Sequence, residues 1–71
     1  MNPSFGNKLK FYRIDRKLSQ FQLELETGCA FGVMSRFENN KVIPNLQTIN
    51  KISMALKLTD KEFLDIWKLF R

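Results

Sequence analysis

The chain has 71 residues, 44% of them hydrophobic, a net charge of +5, one cysteine and no histidine. That length supports one small domain with a modest stability margin and little depth for catalysis. A lone cysteine excludes an internal disulfide framework, and without histidine there is no zinc ligand set, so neither metal nor cofactor is expected. No stretch approaches the ~18 apolar residues of a membrane span, and residues 1–7 lack the apolar run of a signal peptide, so the expectation is a soluble, cytoplasmic protein.

In chain order, the segment from about Phe5 to Lys17 spaces Phe5, Leu9 and Tyr12, with Phe11 beside them, at three and four residues, predicting an amphipathic helix with a mostly cationic polar side. Ser19 and Gln22 form a capping box that starts a second helix at Gln20. Leu23 is its expected core contact. Gly28 is its expected stop, because glycine enters a left-handed terminating conformation at least steric cost. After a tight turn, a third helix from Ala30 or Phe31 to Glu38 puts Met34 and Phe37 on a buried stripe and Phe31, Gly32, Ser35 and Arg36 on the opposite one. Asn39 and Asn40 end it, since asparagine tolerates left-handed backbone, and Pro44 blocks easy continuation. Asn45 caps a fourth helix whose Leu46, Ile49, Ile52, Ser53 and Leu56 keep the helical period. Thr59 with Glu62 is another capping box, opening a fifth helix from Asp60 towards Phe70. Strand-like alternation never lasts beyond a few residues. The reading is all-α: a compact five-helix domain over residues 1–71, with a helix-turn-helix at helices 2 and 3 that can lay one helix in a DNA groove.

The charge divides as +4 for residues 1–23, −2 for 24–27, +3 for 28–58 and 0 for 59–71. A basic excess in the first and middle portions suits a polyanion partner such as DNA, and equally a solvated surface. Cys29, in the turn between helices 2 and 3, reads as a small core filler rather than a redox sensor.

The Ser19-Gln20 helix start, the Gly28 turn, the Ser35-Arg36-Phe37-Glu38 end of helix 3 and the Pro44-Asn45-Leu46 entry to helix 4 fall where the lambda-repressor-like (Cro and Xre type) helix-turn-helix family has its characteristic residues. Phe5, Gly6, Leu9, Tyr12, Arg13, Leu23, Met34, Lys41, Ile52, Ala55 and Leu56 extend the resemblance over nearly the whole chain. The resemblance implies that helix 3 is a recognition helix, with Ala30, Phe31, Gly32, Ser35 and Arg36 facing base edges in the major groove. It implies phosphate contacts for Gln20, Asn39 and Lys41, with the helix 1 cations adding diffuse attraction. Arg13 and Glu38 match an ion pair joining the first helix to the end of the third, a structural role rather than readout. Among the outward positions only Arg36 offers a rigid fork matched to guanine O6 and N7, so specificity rests mainly on it. Phe31 has two readings, a partly buried hydrophobe or a contact to a thymine methyl.

Four positions depart from the family pattern. Glu24 stands where the family usually has an alanine packed against helix 3, so either its stem bends out to water or the two helices spread. Phe21 and Leu25 replace exposed polar residues, marking either an extra contact surface or a shifted helix 2 that buries them. Asn40 replaces the usual glycine. In helix 5, apolar residues wrap more than one face, and Phe63, Ile66, Trp67 and Phe70 are expected at a dimer or domain interface. Two accounts stand: a homodimer presenting two recognition helices about 34 Å apart to a palindromic operator, or an N-terminal part of a longer regulator, whose next domain covers the same residues. Trp67 as plain monomer core is a third.

The leading functional reading is a sequence-specific double-stranded DNA-binding transcriptional regulator, a repressor acting by promoter occupancy. The alternative is a protein-interaction module of the same fold, antitoxin-like or regulator-binding, using Phe21, Leu25, Phe31 or helix 5. An enzyme has little support: there is no nucleophile with a base and no phosphate-cradling glycine loop.

Overall fold

Five helices follow one another: α1 (Ser4–Asp15), α2 (Gln20–Thr27), α3 (Val33–Glu38), α4 (Leu46–Leu56) and α5 (Asp60–Phe70). The computed structural model describes the backbone of residues 4–70 and the side chains of residues 5–68; within that range there is no strand. The all-α reading and the order of elements are as expected from the sequence. Periodicity explains the core. Phe5, Leu9 and Tyr12 of α1, Leu23 of α2, Met34 and Phe37 of α3, Ile49, Ile52 and Leu56 of α4 and Ile66 of α5 form one buried cluster. α1 packs on α3 and α5, while α2 packs on α3 and α4.

Helix starts obey their local signals. Ser19 Oγ accepts the Gln22 backbone N–H at 3.0 Å and Gln22 Oε1 accepts the Ser19 N–H at 2.8 Å, completing the capping box of α2. Asn45 caps α4 through Thr48, and Thr59 and Glu62 exchange the same reciprocal bonds at α5. Helix ends are less faithful to the sequence. α2 stops at Gly28 as expected, in left-handed backbone with φ 74°. α1 ends at Asp15, not Lys17, because Lys17 itself turns left-handed and the Leu18 N–H reaches back to the Arg13 carbonyl at 3.1 Å. Lys57 ends α4 in the same way. A lysine there carries a steric cost glycine would not, so neither stop is written in a breaker residue.

Two expected core residues lie outside. Leu46, in the first turn of α4, and Phe11 of α1 are both exposed. Phe11 sits edge-on to Tyr12 instead, with centroids 5.4 Å apart. Cys29 packs against the core cluster from the turn.

Candidate nucleic-acid interface

The helix-turn-helix is built around two buried carboxylates. Glu38, in the last turn of α3, accepts Arg13 Nε at 2.6 Å and Arg13 Nη2 at 3.2 Å, a two-point pair, and also Gln20 Nε2 at 3.1 Å. Arg13 Nη1 donates to the Leu18 carbonyl at 2.8 Å. One guanidinium therefore joins α1, the α1–α2 connection and the end of α3, with its charge neutralised and its donors in use.

Glu24 is the second carboxylate, and its stem does not bend out to water as one sequence reading had it: its side chain points under the turn at 5% exposure. Oε2 accepts the backbone N–H of Gly32 at 2.9 Å and of Met34 at 3.1 Å. These are opening donors of α3, which a helix leaves orphaned. The N-cap residue Gly32 has no side chain to serve them. A carboxylate at that end also suits the helix dipole.

This cap explains a second correction. α3 begins at Val33 rather than at Ala30 or Phe31, and Gly32 precedes it in left-handed backbone at φ 84°. Ala30, Phe31 and Gly32 therefore lie in the turn leading into α3, all exposed, and not on the helix. Ser35 and Arg36 are on the helix, with Met34, Phe37 and Glu38 turned inward. Arg36 is exposed and has no side-chain partner among the described residues. Its backbone N–H reaches the Gly32 carbonyl at 3.4 Å, so it stands one turn beyond the Phe31–Gly32 corner.

Phe31 is 76% exposed and Phe21 50%, which overturns both the partly buried reading of Phe31 and the shifted helix that would bury Phe21 and Leu25. Their two phenyl rings stack on each other, with centroids 5.3 Å apart and planes 3° from parallel. Gln20 lies beside Phe21 with one amide N–H committed to Glu38. Beyond α3, Asn39 is exposed and its amide folds back on the Ser35 carbonyl at 2.8 Å, while Lys41 is exposed. Asn40 takes the left-handed position at φ 59°, and its Oδ1 accepts the Gly6 N–H at 3.2 Å. Gly6 has no room for a side chain there: a Cβ would lie 2.2 Å from the Glu38 carbonyl oxygen.

Away from this edge, some cations of the first segment are paired while Lys10 and Lys17 are exposed. Lys8 pairs with Asp65 at 3.0 Å and Arg16 with Glu62 at 2.7 Å, in addition to the Arg13–Glu38 pair. The first two bonds hold α5 against α1 and the residue that follows it. In α5, Ile66 is 2% exposed and belongs to the monomer's own core, correcting its assignment to an interface. Phe63 and Trp67 pack partly against that core and stack on each other at 6.4 Å; the Phe70 side chain lies outside the described residues. Among the described residues, no helix is long and apolar enough to cross a membrane and no group of three metal-ligating side chains is found.

The sequence did not reveal Glu24 as a cap. Its donors lie 8 and 10 residues ahead, across a turn, where no helical spacing rule applies. The one available signal was a glycine at the start of a helix, which leaves the cap to be supplied from elsewhere.

Comparison with known proteins converges on this geometry. The chain is 41% identical over 56 residues to the HTH-type transcriptional repressor RghR of Bacillus subtilis (strain 168), a stretch covering 78% of this chain and 42% of that relative. The chain thus spans less than half the length of the curated relative it matches. No solved structure matches it. The Cro/C1-type HTH DNA-binding domain matches from residue 8 to residue 67, through the α2–turn–α3 corner and the helices that brace it, and the chain belongs to that family.

Proposed function

We propose that this chain is the sequence-specific, double-stranded DNA-binding part of a cytoplasmic transcriptional repressor, acting by occupying an operator rather than by chemistry. The observation that carries it is Arg36: an exposed guanidinium, unengaged among the described residues, on a short helix fixed at its start by Glu24 and at its end by Arg13–Glu38. A rigid fork held at a fixed angle suits a bidentate contact to guanine in the major groove. Ser35 adds a less selective donor, and the Ala30–Gly32 turn rather than a helical face brings the remaining contacts. Gln20, Asn39 and Lys41 supply phosphate contacts at the flanks, Gln20 through its second amide hydrogen. The relative's name, a transcriptional repressor, supports repression as the mode.

A homodimer on a palindromic operator completes the proposal, with half-sites about 34 Å apart. Phe63 and Trp67, partly covered and stacked along α5, are the apolar surface available for it. The test is selection of bound duplexes from a random pool, followed by titration across salt. A palindromic consensus with salt-dependent affinity is expected, and Arg36→Ala should weaken binding by about 1 to 3 kcal/mol and relax preference at one base pair per half-site. Salt-insensitive capture of a polypeptide with no shift of any duplex would replace this reading with the protein-interaction module.

A further inference from the structure

We infer that the stacked Phe21–Phe31 pair is an apolar reader of a pyrimidine C5 methyl group, so that this domain demands thymine, and not merely an A·T pair, at one position of each half-site. The inference rests on the DNA-binding reading above and specifies what its turn recognises.

Two exposed phenylalanines on separate elements meet in parallel at 5.3 Å, and Phe31 remains 76% exposed after the stack is made. Such a pair is costly to leave in water and does not belong to the hydrophobic core. The fold nonetheless holds it there. Glu24 fastens Gly32 and Met34, and the left-handed Gly32 stops the helix short of Phe31, so the ring is carried on an anchored corner rather than on a loose loop. Phe21 then backs it from α2 and limits its rotation.

The pair's position points to its occupant. Phe31 is next in the chain to Gly32, whose carbonyl accepts the backbone N–H of Arg36 one turn on, and Phe21 follows Gln20 at the start of α2, so the pair belongs to the same α2–turn–α3 corner that carries the exposed Arg36. A corner that meets base edges with exposed phenyl rings on it needs an apolar group in the groove. The thymine methyl is the apolar group that base edges offer there. A phenyl ring cannot hydrogen-bond to any other base-edge group, so at this position the code reduces to the presence or absence of one methyl.

The test alters the DNA and leaves the protein intact. In a duplex carrying the selected consensus, each thymine is replaced singly by deoxyuridine, which removes the methyl and nothing else, and affinity is measured by fluorescence anisotropy. Wild-type protein should lose about fourfold in affinity at one thymine per half-site and almost nothing at the others. With Phe31→Ala that difference should vanish, while the melting temperature stays near wild type because the ring is outside the core. A flat deoxyuridine scan, with salt-dependent binding still weakened by Arg36→Ala, overturns the methyl reader and leaves the DNA-binding reading standing. Absence of any duplex binding overturns both. A deoxyuridine penalty that persists undiminished in Phe31→Ala also overturns the inference, since some other group then senses the methyl.

Discussion

Two sets of charged contacts brace this small domain, and they work under opposite conditions. Behind the recognition edge, Glu24 and Glu38 are buried and each accepts two or three hydrogen bonds. At the α1–α5 seam, Lys8–Asp65 and Arg16–Glu62 join partly exposed side chains, with the Tyr12 hydroxyl donating to Asp65 at 3.2 Å and Arg16 lying over the Tyr12 ring. Water screens the second set and competes for its partners, so each pair there contributes little on its own. The first set is shielded, and removing one member leaves a charge or a donor stranded in the interior. The difference teaches that burial has been placed where an angle must be kept, while α5 is held by contacts that many alternatives could replace.

The comparison breaks most visibly at Glu38. Glu38→Ala strands the Arg13 guanidinium and releases Gln20, and should cost about 3 to 5 kcal/mol in denaturant unfolding; a loss under 1 kcal/mol would place this pair with the exposed ones. Glu24→Ala comes next. It leaves two backbone donors without acceptors and should cost about 1 to 3 kcal/mol, with Glu24→Gln recovering most of that because an amide oxygen can still accept. Amide hydrogen exchange should show the loss locally, as faster exchange at Gly32 and Met34. Asp65→Asn should move stability least, by under about 1 kcal/mol at neutral pH.

Acid sharpens the contrast. The Asp65 carboxyl sits below its usual 3.8, chiefly because Lys8 hydrogen-bonds its charged form, and Glu62 sits below its usual 4.5, chiefly through the Thr59 backbone N–H. Lowered folded-state values mean stability that is complete above the usual range and is lost as pH falls through it to the lower folded-state values. Melting temperature should therefore decline as the solution is taken below about pH 5, and Asp65→Asn should flatten part of that decline. An unchanged slope in the variant would mean that the seam pair contributes nothing.

Much of this molecule was legible in its residues, though unevenly. Signals confined to a few neighbours were accurate: the Ser19–Gln22 and Thr59–Glu62 boxes, the Asn45 cap and the Gly28 stop all formed as written. The Arg13–Glu38 pair, taken from the resemblance, is present with 2.6 Å geometry. Signals that depend on tertiary partners were not readable. Lys17 and Lys57 end their helices without any breaker residue, because packing of the following segment fixes the exit. Ile66 and its neighbours in α5 looked alike by hydrophobicity, yet only the three-dimensional arrangement assigns Ile66 to the core and leaves Phe63 and Trp67 part covered. Glu24 was the largest miss, because a carboxylate in a place usually filled by alanine reads as a misfit until the donors it meets are known.

That carboxylate makes the reading segment a linked unit of inheritance. The acceptor sits on one side of the turn and its donors on the other, so a swap that transplants only residues 30–38 into a relative with alanine at the matching place would leave the incoming helix without its cap. Retargeting this scaffold to a new operator therefore calls for exchanging residues 24 and 32 together, along with whatever bases are to be recognised.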